Sequence, residues 1–112
     1  DEKVQPTALT IFSKYGLNFM TEVDYYFYSK KELKVEDYII HTILIEPENA
    51  IYNSYALSLY TKSNATGLME YSRYYDMQDH VNTLLKFLDK KEKINRYILP
   101  WNEHKEIVNS LG

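Results

Sequence analysis

Three histidines, His41, His80 and His104, are the side chains of this sequence best suited to proton transfer or metal ligation. The helical periodicity around them places each on a different helix, and none belongs to an HxxH, HxH or HExxH pattern. Cysteine is absent, which removes thiol chemistry, disulfides and thiolate metal sites together. No structural metal and no cofactor is therefore expected. Asp76 and His80 stand four apart, and are read as a helix cap and an exposed histidine. His41 lies in the most apolar stretch of the chain and is read as a hydrogen-bonded interior histidine. In a small-ligand sensor it would instead line a pocket with tyrosines. The carboxylates Glu36, Asp37, Glu46 and Glu48 fall near helix ends, where negative charge complements an N-terminal dipole. With only three glycines there is no phosphate-cradling loop or nucleotide fingerprint, and no nucleophile elbow occurs. The expectation is a domain that is not an enzyme.

Two features could contact nucleic acid. Lys86, Lys90, Lys91, Lys93 and Arg96 form a basic edge, and Tyr71-Ser72-Arg73-Tyr74-Tyr75 interleaves aromatics with a cation. Asp76, Asp79, Asp89 and Glu92 dilute both, and the net charge is −3, so direct nucleic-acid binding is not expected. The lysines are more simply cations favoured at a helix C-terminus. Twelve tyrosines stand against four Phe and one Trp. Each combines a large ring with a hydroxyl that seeks a partner, which implies a half-wet core rim or an aromatic contact surface.

These residues need elements to position them. At 112 residues the chain is long enough for one core and too short for two. Pro6 suits the first turn of a helix that sets Ala8, Ile11, Phe12 and Tyr15 on one face, with Gly16 as its left-handed stop and Leu17 against Phe12. Val23–Tyr28 is aromatic and alternating, which predicts a strand. Val35–Ile45 opens with acidic residues, is apolar nearly all round and ends before Pro47, so it belongs in the centre of the fold. Asn49 caps a helix bearing Tyr52, Tyr55, Ala56, Leu59 and Tyr60 at buried-stripe spacing. A short helix carries Leu68, Met69, Tyr71, Ser72 and Tyr75. Asp76 caps the next, with Met77, Val81, Leu84, Leu85 and Leu88 on one face. Arg96–Leu99 reads as extended. A last helix, Trp101–Leu111, turns His104, Ile107, Val108 and Leu111 inward before Gly112. The expected fold is α+β and predominantly α, about five or six helices with a small β element. The strand needs a partner, either Ile94–Leu99, a segment preceding Asp1, or a second copy of the chain.

The order strand, polar turn, helix resembles the second domain of winged-helix regulators related to the abortive-infection type IV antitoxins. The residues that carry the likeness are Val23–Tyr28, Lys30-Lys31 and Val35-Glu36-Asp37-Tyr38-Ile39-Ile40-His41, followed by the small helices to Leu88. The resemblance contains no catalytic signature. It implies a regulatory or antitoxin-like domain that binds a protein partner or itself, with any DNA-binding wing lying before Asp1. The chain lacks an initiator Met and is expected to be a single interaction domain, residues 1–112, excised from a longer protein. With no apolar run long enough for a membrane span and no signal-peptide pattern, a cytoplasmic location is expected. The aromatic strand residues Tyr25, Tyr26, Phe27 and Tyr28 are the candidate interface, with Tyr26 and Tyr28 facing away from Val23, Tyr25 and Phe27.

Overall fold

The centre of the molecule is the helix α1, Val35–Ile45. In this computed structural model, which describes residues 2–112, Ile39, Ile40 and Ile43 of α1 are buried to 1% exposure or less. Each such side chain contributes roughly 1.5–3 kcal/mol by leaving water. An apolar helix surface on several sides requires neighbours on several sides, and α1 has them: α2 (Ala50–Lys62), α3 (Leu68–Tyr74) and a 3₁₀ helix, Ala8–Tyr15. The 3₁₀ helix buries Ala8, Leu9, Ile11 and Phe12. It ends as the sequence predicts: Gly16 takes φ 79°, its N–H reaches the carbonyls of Phe12 and Ser13, and the Leu17 N–H also bonds to Phe12 O at 3.2 Å. Two further helices, α4 (Gln78–Lys90) and α5 (Trp101–Leu111), complete a predominantly helical α+β fold with a radius of gyration of 13.4 Å.

The small β element differs from expectation in extent and partner. Strand β1 is Lys3–Pro6 and β2 is Tyr26–Ser29, paired antiparallel with Val4 opposite Tyr28 and Pro6 opposite Tyr26. Pro6 therefore closes a strand rather than opening a helix. Val23 and Tyr25 precede β2, and Ile94–Leu99 is turn and irregular chain rather than its partner. Alternation explains why Pro6 is tolerated. The Thr7 N–H donates to Tyr25 O at 2.9 Å, so the next pair, Pro6–Tyr26, is a non-hydrogen-bonded one. Its missing N–H falls on the outer edge of β1, where no ladder bond is lost. Asp76 is also a correction. It adopts φ 54° and makes no cap, and the helix after it begins from Met77.

Gln5 fixes the chain after β2. Its side-chain amide donates to Lys31 O at 2.7 Å and its carbonyl accepts from the Leu33 N–H at 3.0 Å. Phe27, opposite Gln5, lies against α1, with its ring centroid 4.3 Å from that of His41. Val4, Tyr26 and Tyr28 point the other way and are 52%, 58% and 66% exposed.

Candidate functional site

His41 is buried, as an interior histidine should be, and both of its ring nitrogens are engaged. Nδ1 lies 2.6 Å from Thr7 Oγ1, and Nε2 lies 2.9 Å from the Tyr75 hydroxyl. That hydroxyl donates to Asp37 Oδ1 at 2.7 Å. A phenol has one hydrogen, so with it committed to the carboxylate the Tyr75 oxygen must accept from His41 Nε2–H. Nδ1 is then the acceptor for the Thr7 hydroxyl. The chain Thr7, His41, Tyr75, Asp37 donates in one direction and ends on a carboxylate.

Local structure puts each member in place. Thr7 follows the end of β1, Asp37 and His41 are one turn apart on α1, and Tyr75 is the residue that closes α3. Asp37 Oδ2 also accepts the Lys34 N–H at 2.8 Å, at the start of α1. Glu36 Oε2 accepts the Gly67 N–H at 3.0 Å and ties α1 to the start of α3. The acidic pair thus holds tertiary contacts in addition to sitting at the positive end of a helix dipole. Burial pushes the His41 pKa below the ordinary histidine value, with the Asp37 carboxylate acting in the opposite direction. Tyr75 is driven upward, first by desolvation and then by its bond to Asp37 and that group's charge. Both side chains are held neutral.

Two clefts flank Phe27. One, of about 410 Å³, is bordered by Thr7, Tyr25, Tyr26, His41, Leu44 and Ile45. The other, of about 490 Å³, has Asp37, Tyr71, Tyr74 and Tyr75 among its walls. The hydrogen-bonded chain runs beneath Phe27 from the first cleft to the second. Of the candidate strand residues, Tyr25 is half-buried, whereas Tyr26, Phe27 and Tyr28 are exposed. The backbone N–H and C=O groups of Tyr26 and Tyr28 face away from β1, and no other described residue bonds to them.

The other two histidines belong to a separate polar cluster. His80 Nε2 donates to Asn53 Oδ1 at 3.0 Å, and its ring stacks on Tyr97 with centroids 4.5 Å apart. The Asn53 amide donates to Pro47 O at 2.9 Å and Tyr97 O at 3.0 Å. His104 Nδ1 lies 3.0 Å from Ser54 Oγ, and its ring packs against Phe87 and Trp101. Burial lowers the pKa of both histidines. Among the described residues no group of three metal-ligating side chains converges.

The five basic residues lie at the end of α4 and in the chain beyond it, and three of them make contacts within the molecule. Lys91 sits 5.8 Å over the Trp101 ring, Lys93 Nζ donates to Ile98 O at 2.8 Å, and Arg96 pairs with Glu48. Lys86 and Lys90 are exposed. Sequence reasoning missed Thr7, Asp37 and Tyr75 as partners of His41. The one available signal was a histidine on an apolar helix, which requires polar partners from somewhere.

A family model described as HVO_2833_C, C-terminal matches residues 1–112, and the chain belongs to that family of C-terminal domains. No curated protein and no solved structure gives a significant match. Among the described residues no helix is long and apolar enough to cross a membrane.

Proposed function

We propose that this C-terminal domain is a non-enzymatic interaction module that receives a protein partner, or a second copy of itself, along the edge of β2. The observation that carries this reading is the pairing of two features on one four-residue strand. Tyr26 and Tyr28 expose their rings, and the same two residues turn outward backbone donors and acceptors that no other described residue pairs. An open edge with aromatic side chains accepts an added strand: main-chain bonds supply affinity and the rings supply contact area. Tyrosine is also among the residues that concentrate binding energy at interfaces.

A role without catalysis accords with the state of the histidines. His41 has both nitrogens engaged, and its neighbours Tyr75 and Asp37 position it rather than leave it free for a substrate. The finer assignment, to an intracellular regulator of transcription or an antitoxin-like protein, rests on the sequence resemblance over Val23–Tyr28 and Val35–His41. The test is sedimentation of the wild-type chain and of a Tyr26→Ser, Tyr28→Ser double variant, alone and with whatever protein co-purifies. Assembly should weaken in the variant while helical circular dichroism stays unchanged. A wild-type chain that remains monomeric at high concentration and retains no partner through these residues would overturn the reading.

A further inference from the structure

The larger cleft, on the opposite side of Phe27 from Thr7, has walls of a distinct chemistry. Phe27, Tyr71, Tyr74 and Tyr75 contribute four aromatic rings. The exposed carboxylates Glu32 and Glu70 share the rim with Lys31 and Lys34, and the buried, hydrogen-bonded carboxylate of Asp37 lies in the wall. The carboxylates outnumber the ammonium groups by one, and Tyr71 lies beside them. Its phenol is pushed up by desolvation and then by Asp37, Glu36 and Glu70, all of which oppose its ionisation.

One cation already uses this surface. The Lys31 ammonium lies 5.5 Å from the centroid of the Tyr74 ring, over its face. This is the geometry in which the negative face of an aromatic ring attracts a positive charge. Lys31 is exposed. Its backbone is fixed, the N–H by Ser29 Oγ at 3.1 Å and the carbonyl by Gln5, but among the described residues no carboxylate pairs with its side chain. The side chain can swing away without breaking an ion pair. The remaining volume, about 490 Å³, is in the range of clefts that hold small ligands or a partner's side chain.

We propose that this cleft binds an organic cation, an alkylammonium or guanidinium group, which takes the place of the Lys31 side chain against Tyr74 and is flanked by Glu70 and Asp37. The cation comes either as a free small molecule or as an arginine side chain of a protein segment. Both sources present the same chemistry to the same walls. The site is independent of the outer face of β2 and does not require strand addition there.

The test is an NMR titration of the purified chain, following the ring resonances of Tyr71 and Tyr74. The probes are choline, its uncharged isostere 3,3-dimethylbutanol, and a blocked Gly-Arg-Gly peptide. Choline or the peptide should shift those rings saturably and the alcohol should not. The tighter of the two cations identifies the source. Lys31→Met removes the internal competitor and should tighten binding about two- to fivefold, the range of one exposed cation–π contact. Tyr74→Leu should weaken it by a similar factor, Tyr74→Phe should retain it, and Glu70→Gln should weaken it. Tyr74 and Glu70 are exposed, so these variants keep the fold, which circular dichroism checks. Absence of saturable shifts with either cation in both wild type and Lys31→Met would overturn the proposal. So would equal binding of the alcohol, or an affinity indifferent to Tyr74→Leu.

Discussion

The polar cluster around Asn53 and the chain through His41 are built from similar parts and sit in different surroundings. Asn53 is 1% exposed and uses its whole amide, accepting from His80 and donating to the carbonyls of Pro47 and Tyr97. It thereby ties the α1–α2 connection, α4 and the segment before α5 to α2. His104 and Ser54, both buried, extend this cluster toward Phe87 and Trp101. The His41 chain is equally well bonded, but Asp37 and Tyr75 border one cleft and Thr7 and His41 border another. Full satisfaction of buried polar groups fixes structure in both places. Beside His41 the fixed structure meets two clefts and the exposed rings of Tyr26 and Tyr74, whereas Pro47, at the edge of the Asn53 cluster, borders a third cleft lined by the α1–α2 connection. The difference predicts that the Asn53 cluster contributes more to stability than the His41 chain does.

Breaking Asn53 should have the largest effect. Asn53→Leu strands two carbonyls and the His80 N–H around a buried position, each on a half-buried residue, and should destabilise by about 3 kcal/mol. Urea denaturation with an unchanged slope would measure it, and a loss under about 1 kcal/mol would remove the distinction between the two regions.

Acid should act on both regions together. Burial holds His41, His80 and His104 below the ordinary value, so the unfolded chain, titrating near 6.5, takes up protons first as pH falls. Their contribution is present above that pH and is lost below it. Between pH 7 and 6 each histidine can remove at most about 0.7 kcal/mol. Urea midpoints at the two pH values check the direction. A sharper form uses Asp37→Asn, which deletes the carboxylate that raises His41. NMR titration should then find His41 lowered further, with His80 and His104 unmoved.

Tyr75→Phe comes next, at about 1–1.5 kcal/mol. It removes the donor to Asp37 and the acceptor for His41, but solvent in the adjoining clefts can reach both. A loss as large as that of Asn53→Leu would show that water does not reach the two groups left behind. Smallest of all, Tyr26→Ser with Tyr28→Ser should change stability by no more than about 0.5 kcal/mol, as expected for exposed side chains. A large loss would place these rings in the fold rather than at a contact surface.

Much of the helical frame was legible because local signals agreed. α1 is apolar on several sides and bounded by Pro47; α4 carries a clear stripe; Gly16 stops the 3₁₀ helix with the bonds expected of it. The hairpin was half legible. Tyr26–Tyr28 announce a strand through aromatic alternation, but Lys-Val-Gln-Pro is too short and too polar to announce its mate, and Pro6 fits a helix start equally well. Asp76 has the composition of a cap and the backbone of a left-handed turn, which residue type alone does not separate. The site was least legible. His41 meets Thr7 and Tyr75 across 34 residues in each direction, and Asp37 meets Tyr75 across 38. No local pattern encodes pairings at such separations. Tyr71, Tyr74 and Tyr75 form one run in sequence, yet what joins them to Phe27 and Asp37 is the packing of α3 beside α1 and β2.

Pro6 has a consequence for stoichiometry. The two-stranded sheet has two rims, and they are not equivalent: the one on β2 offers the donors of Tyr26 and Tyr28, while the one on β1 lacks a donor at Pro6. If two copies join β2 to β2 about a two-fold axis, both good rims are consumed at once. The rims left over on the resulting four-stranded sheet are those of β1, each interrupted by its proline. Addition of a third copy then forfeits a hydrogen bond where the first pairing did not, and assembly closes at two instead of growing into a fibre.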